Sequence, residues 1–317
     1  MLTRIQLILL SALLLHVPSI GLAVAAAPVL PTEPTDTPFV PKDPPAKKPV
    51  VNAVTSVAYS PDGKSYAVGG ADFRIFVFKA ATGRLVTTLK GHGAPITDLA
   101  YDRTGKVLAS ASRDSTIRLW NPRTGKQLRV LSGHSQAVLS VAFNPNGRRL
   151  ISGGEDSRAL LWNATNGRLI RPIAALGNFV TAVTYSARGK IAAGTADARI
   201  RVWDSDQAKS ARTLRGHRGA VVSLSFSPAG DTLASGSADK TIRLWKAATG
   251  KQRKVLTGSA TKVADVAFTR NGSKLLTGSA DGTVRAWNAN NGSLAKKVSR
   301  PGTAKAKTTI AAVALDP

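Results

Sequence analysis

The chain has 317 residues and contains no cysteine. This absence excludes disulfide bonds, thiol catalysis and a lipid-modified N-terminal cysteine. Aromatic residues make up only 5% of the chain, whereas the hydrophobic content is 43%. The composition therefore supports a packed core, which Val, Ile, Leu and Ala must mainly build.

Acidic residues are also scarce. The 18 Asp and Glu stand against 44 Lys and Arg, which gives a formal net charge of +26. Such a surplus of positive charge attracts anions in general. Nucleic acid, phospholipid head groups, anionic envelope polymers and acidic proteins all fit it, and the charge alone does not choose among them.

Motifs for metal, phosphate and acyl chemistry are missing. Without cysteine, and with isolated histidines, the chain offers no zinc-site spacing. It contains neither a glycine-rich phosphate loop with its lysine nor a serine nucleophile elbow. The sequence therefore predicts no cofactor, no metal and no catalytic residue.

The N-terminal 50 residues differ from the rest. Residues 1–27 combine an early Arg4, an apolar run and small residues near position 25, which predicts a secretory signal peptide. An uncleaved membrane anchor is the minority alternative, since about 20 apolar residues can span a bilayer. Residues 28–50 contain eight prolines and are predicted to form an extended linker. The domain proper is predicted to cover residues 51–317.

One nine-residue sequence motif recurs through that domain. It reads SRDSTIRLW at residues 112–120, and all five tryptophans end a version of it, at intervals of 42, 41, 42 and 42 residues. Phe78 stands 42 residues before the first tryptophan. Within one copy, alternating apolar residues and turn signals predict four short antiparallel strands. A period of roughly 40–45 residues indicates a radial or stacked β array.

The copies also share a Gly-His opening at His92, His134 and His217. Together with the recurring motif that ends in tryptophan, which includes Trp203-Asp204, this opening resembles the pattern of the WD-repeat β-propeller family over residues 51–299. The resemblance implies an all-β propeller with six complete four-stranded blades. Residues 308–317 match only the first strand of a seventh blade. A ring of six with one extra strand is favoured over an incomplete ring of seven, and an unpaired terminal strand would permit self-association.

The resemblance further implies a structural hydrogen-bonded set in each blade. Its members are the opening His, a Ser or Thr of the second strand, the turn Asp and the Trp of the third strand. The sets carried over are His92, Ser112, Asp114 and Trp120; His134, Ser152, Asp156 and Trp162; and His217, Ser237, Asp239 and Trp245. Which of two nearby serines takes part is left open by the sequence. Asp197 with Trp203, and Asp281 with Trp287, represent the fourth and sixth blades, where Leu176 and Ser259 replace His and looser pinning is expected.

Candidate binding residues lie in the turns. Those that follow the first and third strands should share one face, which predicts a ring of positive charge. Its members are Lys64, Arg84, Lys106, Lys126, Arg148, Arg168 and Lys251. The opposite face surrounds the channel mouth, where propellers of this family usually hold peptides. The candidates there are Arg113, Glu155, Arg158, Arg199 and Arg218.

These features predict a non-enzymatic, exported interaction scaffold of the cell envelope or extracellular space, periplasmic or secreted, that binds protein partners. The alternative is a binder of an anionic polymer or an anionic membrane surface. Nucleic acid is disfavoured because interleaved exposed aromatics are missing. A propeller-based hydrolase is the least favoured alternative, because Glu155 is the only glutamate of the repeats.

Overall fold

The computed structural model describes residues 53–206 and 210–299. The predicted signal peptide, the proline-rich linker and the predicted seventh-blade strand lie outside these residues. The described residues form strands and turns, and no helix among them is long and apolar enough to cross a membrane.

Six antiparallel sheets of four strands follow one another along the described chain. Blade 1 contains β1 (Val54–Tyr59), β2 (Ser65–Gly70), β3 (Ile75–Lys79) and β4 (Leu85–Leu89). Blade 2 contains β5 (Ile96–Tyr101), β6 (Leu108–Ser112), β7 (Thr116–Trp120) and β8 (Gln127–Ser132). Blade 3 contains β9 (Val138–Phe143), β10 (Arg149–Gly154), β11 (Arg158–Asn163) and β12 (Leu169–Ala175).

Blade 4 contains β13 (Val180–Tyr185), β14 (Ile191–Thr195), β15 (Ile200–Trp203) and β16 (Arg212–Leu214). Blade 5 contains β17 (Val221–Phe226), β18 (Thr232–Ser237), β19 (Ile242–Lys246) and β20 (Gln252–Leu256). Blade 6 contains β21 (Val263–Phe268), β22 (Lys274–Ser279), β23 (Thr283–Asn288) and β24 (Leu294–Ser299). The predicted ring of six four-stranded blades is confirmed.

A close contact between glycine and a β-branched residue recurs between blades. A Cβ built on Gly69 would lie 2.7 Å from Ile96 Cγ2 of the next blade, and one on Gly236 would lie 2.7 Å from Val263 Cγ1. Gly153 and Gly194 meet the next blade in the same way. These four junctions rely on the missing glycine side chain for the close approach, whereas the junction of blades 2 and 3 has Ala111 at the same register position.

The apolar core consists of separate layers between neighbouring blades. Leu108 and Trp120 of blade 2, for example, pack with Ile75 and Leu89 of blade 1. Four further clusters join blades 2 to 6 in the same order. The described members of the sixth cluster belong to blade 1.

Hydrogen bonds also join the first strands, which surround the central channel. Asp98 accepts from Ser56 Oγ at 3.4 Å and from Ser140 Oγ at 2.9 Å, and so bridges blades 1, 2 and 3. Ser223 Oγ donates to Asp265 Oδ1 at 2.6 Å, which joins blades 5 and 6. The inner wall of the ring is therefore held by polar contacts as well as by packing.

Candidate interaction faces

The predicted blade network exists in blade 2 with one different member. His92 Nδ1 lies 2.7 Å from Asp114 Oδ2, and His92 Nε2 lies 2.7 Å from Ser110 Oγ. Trp120 Nε1 donates to the same Ser110 Oγ at 2.8 Å. These contacts fit a neutral imidazole that donates through Nδ1 and accepts through Nε2. The set ties the opening loop, the second strand and the third strand together.

Blades 3 and 5 repeat this geometry. In blade 3, His134 Nε2 and Trp162 Nε1 meet at Ser152 Oγ, at 2.7 and 2.8 Å. In blade 5, His217 Nε2 and Trp245 Nε1 meet at Ser235 Oγ, at 2.7 and 2.9 Å. In both blades Nδ1 faces the turn aspartate, Asp156 or Asp239.

Two of the predicted serines were wrong. Ser110 and Ser235 fill the place assigned to Ser112 and Ser237. Ser112 Oγ instead donates to Ala94 O at 3.0 Å, and Ser237 Oγ donates to Gly219 O at 2.9 Å. Ser112 and Ser237 lie two residues nearer the turn than Ser110 and Ser235. At that point the second strand lies opposite the opening loop, and the tryptophan donates to the earlier serine.

Burial sets the protonation of these networks. It lowers the pKa of His92, and likewise the pKa values of His134 and His217, although the aspartates oppose this. Burial opposes ionisation of Asp114 as well, but hydrogen bonds from Thr116, Gly93 and His92 lower its pKa to about 2. Because the hydroxyl of Ser110 lies between the His and Trp rings, it is not presented to a substrate.

The blades without a histidine hold the turn aspartate with arginine. Arg74 Nη2 donates to Asp72 at 2.6 Å in blade 1, and Arg199 Nη1 donates to Asp197 at 2.8 Å in blade 4. In blade 6, Arg285 Nη2 donates to Asp281 at 3.0 Å. The aspartate thus has a side-chain partner in all six blades, a histidine hydrogen bond in three and an arginine ion pair in three.

The fourth and sixth blades differ around their tryptophans. In blade 4, Leu176 and Ala193 replace the histidine and serine, so the surroundings of the buried Trp203 are more apolar. In blade 6, Trp287 Nε1 donates to Thr277 Oγ1 at 3.0 Å. Ser259, in the histidine place, bonds to Ser279 Oγ at 2.9 Å.

A cavity of about 280 Å³ occupies the channel, lined by the six first strands. Its charged side chains are acidic, Asp98 and Asp265, in spite of the basic composition of the chain. Burial raises the pKa of Asp98 to about 6, against the effect of its hydrogen bonds. In the described part of the chain, no group of three His, Cys, Asp or Glu could hold a metal ion.

The predicted channel-mouth residues are partly used within the protein. Arg113 Nη1 lies 3.1 Å from Glu155 Oε1, and this ion pair joins blades 2 and 3. Arg158 Nη1 donates to Gly133 O at 3.2 Å. Arg199 holds Asp197, whereas Arg218 is exposed and donates its backbone N–H to Asp239. Glu155 therefore has a structural partner in Arg113.

Two exposed phenylalanines on this face were missed by sequence reasoning. Phe73 lies in the turn between β2 and β3 and is 40% exposed, and Phe179 lies just before β13 and is 46% exposed. Phe73 has φ = 70°, a conformation that a bulky residue rarely adopts. The same turn position holds smaller or flexible residues in the other blades. They are Ser115, Ser157, Ala198, Lys240 and Gly282.

The opposite face carries the other predicted set. All seven of its predicted cations are exposed and lie in, or directly beside, the turns that follow first and third strands. They are Lys64, Arg84, Lys106, Lys126, Arg148, Arg168 and Lys251. Near this set, Arg149 lies 2.6 Å from Asp206, and Lys190 pairs with Asp204. The face therefore has internal ion pairs only on blades 3 and 4 within the described residues.

Comparison with known families agrees with this architecture. Residues 137–315 match the family model described as the IFT122 first beta-propeller. Residues 50–79 and 83–121 match the model of the WD domain, G-beta repeat. No curated protein matches the chain.

Proposed function

The chain belongs to the WD-repeat β-propeller family, and on that premise we propose that it is an exported, non-enzymatic scaffold of the cell envelope or extracellular space. Propellers of this family are typically interaction scaffolds rather than enzymes. To this general role we add a cellular location, a binding face of the propeller and the chemistry of the partner. Export rests on the signal-like residues 1–27.

Phe73 carries the assignment of the binding face. Its ring is 40% exposed, and its left-handed backbone is unfavourable for a bulky residue by about 1–2 kcal/mol. A residue that is both strained and apolar on the surface is better explained by binding than by folding. Phe179 offers a second exposed ring on the same face, three blades further along the chain.

The charges around the two rings define the partner. Arg113 and Arg199 have half-exposed side chains, and Arg218, Lys240 and Lys262 are exposed. The aspartates of this face are already paired with histidine or arginine. We therefore infer a protein partner that contributes apolar side chains to the phenylalanines and acidic side chains to the surrounding cations.

The test compares captured proteins from an envelope extract on immobilised wild type and on a Phe73→Ser, Phe179→Ala double variant. Serine is the residue of blades 2 and 3 at the Phe73 position. Loss of an aromatic anchor of 2 kcal/mol or more would lower affinity more than tenfold. The matched control is Val130→Thr with Leu294→Thr, which changes equally exposed apolar residues on outer strands. A partner retained equally by all three proteins would contradict the assignment.

A second function, retention of an anionic polymer, is favoured by the seven exposed cations of the opposite face. Polyphosphate beads at low salt should retain the wild type, with elution strongly dependent on salt. Replacing Lys64, Lys106 and Lys126 by Gln should weaken retention more than replacing Arg218, Lys240 and Lys262 by Gln. Both variants lose the same number of positive charges. Equal weakening would therefore show that retention depends on net charge and not on this face, and would contradict the proposal.

A further inference from the structure

Each blade ends in an outer strand whose far edge has no partner strand among the described residues. These strands are β4, β8, β12, β16, β20 and β24. Charged residues and proline in such strands keep a sheet edge from pairing with another chain. Five of the six carry Lys or Arg: Arg129 in β8, Arg171 in β12, Arg212 in β16, Arg253 and Lys254 in β20, and Lys296 and Lys297 in β24.

The outer strand of blade 1 lacks this protection. β4 reads LVTTL and contains neither a charged residue nor a proline. Three of its five residues are β-branched, which favours an extended backbone, and Leu85 and Val86 are 36% and 44% exposed. The register shift between β3 and β4 recurs in blades 2, 3, 5 and 6, so it does not set blade 1 apart. The absence of charge does.

The backbone of Thr88 faces away from β3. Thr88 is opposite Phe76, in the register that Pro172 and Leu160 have in blade 3. Because proline has no N–H, it occurs in a sheet where the nitrogen points away from the neighbouring strand. Pro172 has such a neighbour only in β11, so its nitrogen points to the outer edge. By the same register, the N–H of Thr88 points outward and is available to a further strand.

Positive charge surrounds this edge. Arg84 and Lys90 flank β4 and are exposed. Blade 2 adds a third cation, since a Cβ on Gly125 would lie 2.7 Å from Thr87 Oγ1 and the exposed Lys126 follows that glycine. No acidic residue occurs in β4, in the residues that flank it or in this turn. An uncharged strand edge is thus bordered by cations at both ends and on one side.

We propose that β4 accepts an extended segment of a partner protein as an additional strand, with acidic residues at the ends of the segment and apolar residues between them. Main-chain hydrogen bonds supply affinity in this mode of recognition, and side chains supply specificity. A second copy of the chain fits poorly. Antiparallel pairing of two β4 strands about Thr87 places Arg84 opposite Lys90 of the other copy, and each chain has a net charge of +26. Charge complementarity therefore selects an acidic segment.

The test uses the full chain and two fluorescent peptides of equal charge. The first peptide alternates valine and threonine between glutamate pairs, and the second has proline at its centre. Thr88→Pro removes the outward N–H without a change of charge and copies the residue that blade 3 holds in this register. Thr88→Val keeps the N–H and is the matched control. Urea unfolding shows that each variant is folded before the peptides are titrated.

Wild type and Thr88→Val should bind the first peptide equally. Thr88→Pro should bind it about fivefold or more weakly, because a main-chain hydrogen bond is lost. Wild type should discriminate against the proline peptide by a similar factor, which is measured even if Thr88→Pro fails to fold. Amide hydrogen exchange should slow in β4 when the first peptide binds, and should not change in β8.

Equal binding of the two peptides by wild type would assign the interaction to charge alone and reject strand addition. No binding by wild type, or equal binding by Thr88→Pro and Thr88→Val, would also reject it. Protection of β4 amides that rises with protein concentration in the absence of peptide would assign the edge to a second copy, and would overturn the acidic partner.

Discussion

Arg285 Nη2 donates to Asp281 Oδ2 at 3.0 Å, and the arginine side chain is only 4% exposed. The arginine thereby reaches the aspartate that histidine holds in blades 2, 3 and 5. Histidine and arginine thus fulfil one role in the same fold, because each donates to the turn aspartate of its blade. The substitution is local, because Trp287 still has a hydroxyl partner in Thr277.

Arg285→Ala should destabilise the protein by about 3–5 kcal/mol, since it removes one partner of a largely buried ion pair. Arg243 occupies the same position in blade 5, where His217 already holds Asp239 and the arginine bonds to Gln252. Arg243→Ala should therefore cost about 1 kcal/mol. Urea unfolding measures both, and equal costs would contradict a special role for Arg285.

Ser110→Ala should cost about 2–3 kcal/mol, because the buried Trp120 Nε1–H and His92 Nε2 lose their common partner. Ser132→Ala serves as the control, since Ser132 is exposed at the end of β8. Thermal and urea unfolding give the comparison. If the two variants unfold alike, the serine does not hold the network.

Phe73→Gly should stabilise the protein by up to about 1 kcal/mol, because glycine adopts positive φ without strain. The same change should weaken partner binding if Phe73 is an anchor. Ser115→Gly is the control at the equivalent turn, where the smaller side chain leaves less strain to relieve. A loss of stability in Phe73→Gly would show that the ring packs within the protein.

Asp98 should make stability fall as pH rises. Its pKa is about 6 in the folded protein against an ordinary value of 3.8, so the folded state binds more protons between these values. The contribution is fully present below about pH 3.8 and is lost as pH rises through 6. Two pKa units correspond to about 3 kcal/mol, and contact with the channel should reduce that figure.

Asp98→Asn removes this titration, so its unfolding free energy should change less than that of wild type between pH 4 and 7. Guanidinium unfolding across this range measures the difference. Asp62→Asn is the control, because Asp62 is exposed and its pKa is lowered by Ser60 rather than raised. Parallel profiles for wild type and Asp98→Asn would refute the assignment.

Export makes a separate prediction about the N-terminus. After expression in a host with a secretory pathway, intact mass and N-terminal sequencing should give a chain that begins near residue 26–28. Replacing Leu9 and Leu13 by Arg should interrupt the apolar run and leave the protein inside the cell. A mature protein that retains Met1 in the membrane fraction would favour the anchor.

The repeat period predicted the six blades and their strands, because each strand and turn is encoded locally, whereas the histidine–aspartate pairs were implied by the family resemblance. The serine error came from the alternation Ser110-Ala-Ser112, which places both hydroxyls on one side of β6. Blade 3, with Ser152 four residues before Asp156, carried the correct spacing. A comparison of the copies with one another therefore identifies the correct serine.

The arginine substitutions and the role of Phe73 were not predictable in the same way. A long guanidinium can reach the turn aspartate from two residues away, as Arg74 does, or from four, as Arg285 does. Sequence spacing does not decide between these paths. The left-handed backbone at Phe73 becomes visible only once the hairpin geometry is known.

The network in each blade and the Asp98 bridge act at different levels. His92, Ser110, Asp114 and Trp120 lock one blade internally, whereas Asp98 connects three blades through their inner edges. The structure within a blade and the contacts between blades thus depend on different side chains. One hairpin can therefore change its exposed residues without weakening the contacts that hold the ring. Such a body tolerates variation at its surfaces one blade at a time, as Phe73 and Phe179 illustrate.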